Sequence, residues 1–84
     1  MRQAAAPPVC LTYEFLSLMQ KADVRWHWVL DTVAHPDDEW ERNTATQEVY
    51  VTRRIPEARN RRLFVVYEER SEGAVPIRLH FRND

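Results

Sequence analysis

His80 is the residue best suited to move a proton near neutrality, because an imidazole titrates at about 6.5 without help from its surroundings. It lies in the alternating segment 75–82, where Val75, Ile77, Leu79 and Phe81 are expected to point inward. Arg78, His80 and Arg82 then share the opposite face. A histidine flanked by guanidinium groups suits metal-free cleavage of RNA. That reaction needs a base for the 2′-hydroxyl, an acid for the leaving oxygen and a cation on the phosphate. Arg54 can hold a phosphate through two parallel hydrogen bonds. Glu48 or Glu68 can be the second proton carrier if its surroundings raise its pKa. Tyr50 or Tyr67 can stack on a base. The expected catalytic set is therefore His80, Arg54 and Glu48. Arg53, Arg61, Arg62, Arg78, Arg82 and Tyr50 are the expected RNA or phosphate contacts. The same residue types also describe an ordinary solvated sheet face.

The charge distribution points the same way. The chain has 12 basic and 13 acidic side chains and a net charge of −1, which excludes a uniformly basic nucleic-acid-binding domain. Residues 49–84 nevertheless carry three more basic than acidic groups, and residues 1–48 carry four more acidic than basic ones. Five arginines and one glutamate fall within 53–62. A hairpin there would concentrate positive potential at one end of a sheet. The bland reading pairs those arginines with the acidic run Asp37, Asp38, Glu39 and Glu41.

Other candidates are weaker. His27 precedes Asp31 by four residues, a spacing that suits a plain helix-surface hydrogen bond. His35 precedes Pro36 and suits a helix end; with Asp37 and Asp38 it has no recognised metal-ligand spacing, so no metal and no cofactor are expected. Cys10 has no neighbouring histidine in sequence to make a reactive thiolate. Trp28 falls two residues after Trp26, outside the apolar stripe, and is the expected contact for a protein partner or a second copy.

These residues need elements to hold them. Thr12 can cap a helix over 13–22, with Phe15, Leu16, Met19 and Ala22 on one face. Asp23 reads as the cap of a second helix over 25–34. There Trp26, Val29, Leu30 and Val33 form the apolar stripe, and Pro36 ends the helix. After Pro36 the period becomes two. Segments 39–42, 47–55, 62–69 and 75–82 read as strands joined by short loops, with 62–69 central. Pro76 belongs at a strand start or on an edge, because it has no N–H to donate. The expected architecture is α+β: two N-terminal helices packed on one face of a roughly four-stranded antiparallel meander, in the order α-α-β-β-β-β.

Composition narrows the remaining possibilities. An 84-residue chain supports one domain, expected over 11–84 behind a mobile tail at 1–10. A single glycine, Gly73, excludes glycine-rich phosphate cradles, and a single cysteine excludes a disulfide framework. Neither a long apolar span nor a leader-like segment is present, and with one unpaired cysteine this suggests a cytoplasmic protein without membrane contact.

Several short motifs, taken in order, resemble a small bacterial domain family of unknown function. They are Thr12–Met19, then Val24 and Val29, the turn His35-Pro36-Asp37, the strand Tyr50-Val51-Thr52-Arg53-Arg54-Ile55, the strand Leu63-Phe64-Val65-Val66-Tyr67-Glu68, and Ile77-Arg78-Leu79-His80-Phe81. The likeness spans roughly residues 11–82. That family is similar to the ribonuclease-like domains related to RelE toxins and barnase. The resemblance implies helices on an antiparallel sheet, and either metal-independent RNA cleavage or a degenerate toxin-like RNA-binding domain. The sequence departs from the family pattern at Glu14-Phe15, where a His-Ala pair is usual, and at His80, where Ser or Thr is usual. A non-catalytic interaction or self-associating domain on the same scaffold is the alternative.

Overall fold

The computed structural model describes residues 8–82. Helix α1 (Tyr13–Ala22) and helix α2 (Trp26–Ala34) precede four strands: β1 (Asp38–Asn43), β2 (Glu48–Ile55), β3 (Arg61–Arg70) and β4 (Gly73–Arg82). A short 3-10 turn at Pro56–Ala58 joins β2 to β3. The sheet order is β1-β2-β3-β4, and every neighbouring pair is antiparallel. The expected α-α-β-β-β-β arrangement is therefore present.

Thr12 caps α1 as expected. Its side-chain oxygen accepts a hydrogen bond from the Phe15 N–H, satisfying a donor that the first turn leaves free. Asp23 is not the cap of α2. It ends α1 in a left-handed conformation (φ 56°) and its N–H returns to Gln20 and Met19. Arg25 stands at the start of α2 and makes no side-chain cap bond.

The core lies between the helices and one face of the sheet. Phe15 and Met19 of α1 and Val29 and Val33 of α2 meet Val49, Val51, Leu63, Val65 and Tyr67. The buried arc of α2 is Trp28, Val29, Thr32 and Val33, while Trp26 is half-buried. The helix is thus turned by about 80° from the apolar stripe read in the sequence, at 100° per residue. Two contacts explain the turn. The Trp28 ring packs edge-on to Phe81 of β4 at 6.0 Å, and the Thr32 hydroxyl donates to the Trp28 carbonyl at 2.7 Å. That internal bond lets a polar residue enter the core. Trp28, expected on a partner-facing surface, is only 7% exposed and belongs to the core instead.

The alternation expected in β4 is broken. Tyr67 pairs with Pro76 and Val66 with Arg78, so Ile77 is an extra residue in the ladder. This bulge puts Pro76 rather than Val75 or Ile77 in register with the core-facing Tyr67. Leu79 and Phe81, beyond the bulge, face inward as expected, opposite Val65 and Leu63. Pro76 sits on the edge strand, where a missing donor costs nothing.

Pro8, Val9 and Cys10, expected in the tail, dock on β4. Val9 bridges Ala74 in parallel; the Ala74 N–H donates to Pro8 O and the Cys10 N–H to Ala74 O, both at 2.8 Å. Residues 1–7 of that expected tail lie outside the described residues. Gly73 makes the docking possible. Its φ is 137°, and a Cβ there would land on the Pro8 carbonyl oxygen. Gly73→Ala should therefore lower stability by about 1–3 kcal/mol, the cost of a strained backbone position. A thermal melt reads this directly, and an unchanged midpoint would mean that the Pro8–Cys10 docking contributes nothing.

Candidate nucleic-acid interface

The ladder register sorts the outward side chains into four rows across the sheet. Residues directly opposite in antiparallel strands share a face, so each row is a line of neighbours. At one end Arg54, Arg62 and Arg82 stand side by side on β2, β3 and β4. The next row is Asp38, Thr52, Phe64 and His80. Then come Glu41, Tyr50, Val66 and Arg78, and finally Asn43, Glu48, Glu68 and Val75. This face points away from the helix-packed core, and it grades from basic at one end to acidic at the other.

A second bulge shapes its middle. The β1–β2 register shifts between Glu39 and Glu41, leaving Trp40 as the extra residue. The Trp40 ring sits over the outer face, 5.0 Å from Tyr50 and 6.2 Å from Phe64 between ring centres, and remains 49% exposed. Phe64 carries His80 in a near-parallel stack at 5.0 Å and 4°. The Arg82 guanidinium lies 5.5 Å from the Phe64 ring centre. Four rings therefore cluster across the middle of the face, Phe64 and His80 in the row beside the arginines and Tyr50 one row further on. A hollow of about 290 Å³ opens among Tyr50, Phe64, Val66, Arg78 and His80, with Leu18 of α1 and Leu79 completing its lining.

Glu48 belongs to a closed network. The Tyr50 hydroxyl donates to Glu48 Oε1 at 2.9 Å, and Arg78 Nη2 lies 3.4 Å from the same oxygen and 3.3 Å from the Tyr50 hydroxyl. The bond to Glu48 holds the Tyr50 phenol above its ordinary pKa; desolvation adds to this and Arg78 opposes it. Glu68, the other candidate proton carrier, pairs with Arg70.

The expected catalytic set does not converge. His80 and Glu48 are two strands and two rows apart, about 17 Å between Cα atoms on standard strand spacings. Arg54 is two strands and one row from His80, about 12 Å on the same spacings. The arginines beside His80 are Arg78 and Arg82. Proton transfer needs hydrogen-bond reach, so Glu48 cannot share a reacting phosphate with His80 in this arrangement.

The expected phosphate contacts divide between the two faces. Arg54, Arg62, Arg78 and Arg82 are on the outer face with Tyr50. Arg53 and Arg61 are on the other side, because successive residues of a strand alternate. Arg53 donates to the His35 carbonyl at 2.6 Å and lies 3.7 Å from Asp37. Arg61 donates to the Ala58 carbonyl and rests 4.2 Å over the Phe81 ring. Both secure the helix side of the fold. Arg42 does likewise between Glu39 and Glu69, and its hydrogen bond holds the Glu39 carboxyl below its usual range. Among the described residues, no group of three or more His, Cys, Asp or Glu side chains is arranged to hold a metal ion. No described helix is long and apolar enough to cross a membrane.

Sequence reasoning missed Trp40, Phe64 and Val66. Phe64 and Val66 were legible as the alternates of the core-facing Leu63 and Val65. Trp40 carried one signal, an aromatic within an otherwise charged strand, Asp38–Asn43. No protein-family model matches the chain, and neither a curated protein nor a solved structure does.

The Tyr50–Glu48 bond is testable by spectrophotometric titration. Glu48→Gln removes the carboxylate, so the ionisation of Tyr50 should move down toward the ordinary phenol value of about 10. An unchanged tyrosine titration would show that the bond does not persist in solution.

Proposed function

We propose that the outer face of the sheet binds single-stranded RNA, as a degenerate toxin-like domain without a complete cleavage site. The observation that carries this reading is the row of arginines directly beside Phe64 and His80, with Tyr50 and Trp40 next to them, on the sheet face opposite the helix-packed core, where Leu18 of α1 reaches only the lining of the hollow. Guanidinium groups neutralise backbone phosphates, and flat rings stack on unpaired bases whatever their identity. A duplex would not engage the rings, because its bases already stack on each other.

The arrangement supports binding better than cleavage. His80 has cationic neighbours for a phosphate, but the carboxylate expected to complete the proton transfer is held by Tyr50 and Arg78 elsewhere on the face. The acidic pI of about 6.3 is also consistent with a local basic end rather than a generally basic domain.

A fluorescent single-stranded RNA tests both parts. Binding should weaken with salt, and Arg82→Ala should make the plot of log affinity against log salt shallower by about 0.7, one phosphate contact on a single strand. The RNA should stay intact from pH 5 to 8. Metal-free cleavage that disappears in His80→Ala would replace this reading with a ribonuclease, and salt-insensitive binding or none would remove RNA altogether.

A further inference from the structure

We propose that the bound strand crosses the sheet at right angles to the β-strands and that the site reads two nucleotides only. This rests on the RNA reading above and specifies its ligand. The backbone follows Arg82, Arg62 and Arg54. One base enters the hollow over Val66, and the next stacks on Trp40.

Three features of the face set this direction and length. The three arginines form a row perpendicular to the strands, spanning two strand spacings, about 10 Å. That is room for two consecutive phosphates. Phe64 and His80 stand one pleat period of about 7 Å from it and Tyr50 a further period away, so bases attached to a backbone on the arginines reach Phe64, His80 and the hollow just beyond them. A strand laid along the β-strands would instead leave the basic end and pass over Glu48 and Glu68, where phosphates are repelled.

The two base positions differ in kind. The hollow is walled by Tyr50 and Phe64, floored by Val66 and flanked by Arg78 and His80, and its volume of about 290 Å³ takes one nucleobase. Trp40 presents an indole that is 49% exposed on the β1 side, with Tyr50 and Phe64 between it and the hollow. Beyond Trp40 the sheet ends at β1, and beyond His80 it ends at β4. A third base has no ring to stack on within the cluster. The Thr52 hydroxyl, in the same row as Phe64 and His80, is buried without a hydrogen-bond partner. At 3% exposure it is out of reach of a bound base.

Oligouridines of one, two, three, four and eight nucleotides, each with a 5′-phosphate, test the footprint by competition against a labelled RNA. Uridine is chosen because its bases stack little on one another. Affinity should rise about tenfold or more from the mononucleotide to the dinucleotide, because one stacked base and one phosphate are added together. Beyond that it should rise only by the number of overlapping registers. The log–log salt slope for the octanucleotide should be about −1.4, two phosphates on a single strand. In Trp40→Ala, whose fold is checked by circular dichroism, the mono-to-dinucleotide gain should fall to the part contributed by the added phosphate. A further gain of tenfold or more from four to eight nucleotides, or a slope steeper than about −2.5, overturns the two-nucleotide footprint while leaving RNA binding intact. Equal affinity for uridine monophosphate and the dinucleotide overturns it in favour of a free-nucleotide site. Retention of the whole gain in Trp40→Ala overturns the second base position. Failure of every length to bind withdraws both this inference and the RNA reading.

Discussion

The burial of Leu63 and Val65 on the central strand is the constraint on which the rest of the molecule depends. Both are fully buried against the helices, and β3 is hydrogen-bonded on both edges. A strand's side chains alternate, so seating these two residues in the core forces Arg62, Phe64, Val66 and Glu68 onto the outer face. The ladders pass this choice to β2 and β4, setting Arg54 and Arg82 beside Arg62 and His80 beside Phe64. A slip of one residue would expose Leu63 and Val65 and turn Arg62 and Glu68 into the apolar core, so the core holds the face in register.

Within that frame, the two bulges decide what the face presents. The β4 bulge at Ile77 lets Pro76 and Ala74 serve the core at one end while Leu79 and Phe81 serve it at the other. It thereby keeps Arg78, His80 and Arg82 outward. The β1 bulge at Trp40 lays a large ring over Tyr50 and Phe64 at the sheet margin. An edge strand this short and charged is also a poor template for pairing with another chain, since charges and bulges both disfavour sheet extension.

The arginines illustrate how one residue type divides its work. Arg53, Arg61 and Arg42 bind carbonyls, carboxylates or an aromatic ring on the helix side and belong to the architecture. Arg54, Arg62 and Arg82 line one end of the opposite face, where Arg54 also donates to the Asn60 carbonyl at 2.8 Å and Arg82 lies against the Phe64 ring. Exposed ion pairs of the kind Arg42 makes contribute at most about 1 kcal/mol each, so the fold rests on its apolar core and caps rather than on these pairs.

The element order, the limits of α1, the central place of 62–69 and the inward set of β3 were all legible from the chain. They follow from local causes: a capping threonine, a proline after α2 and a change of hydrophobic period from helical to two. The alternation of Arg78, His80 and Arg82 was legible for the same reason. The rotation of α2 was not, because a threonine whose hydroxyl bonds back to Trp28 reads as polar until that bond is known. Nor could the chain announce its bulges, which depend on how two strands fit each other. The distance from Glu48 to His80, the split of the arginines between two faces and the ring cluster of Trp40, Tyr50, Phe64 and His80 are all properties of register across the sheet. Sequence by itself determined which side chains alternate along each strand. Only tertiary structure decided which of them stand side by side, because pairing between strands is settled by the packing of the core they share.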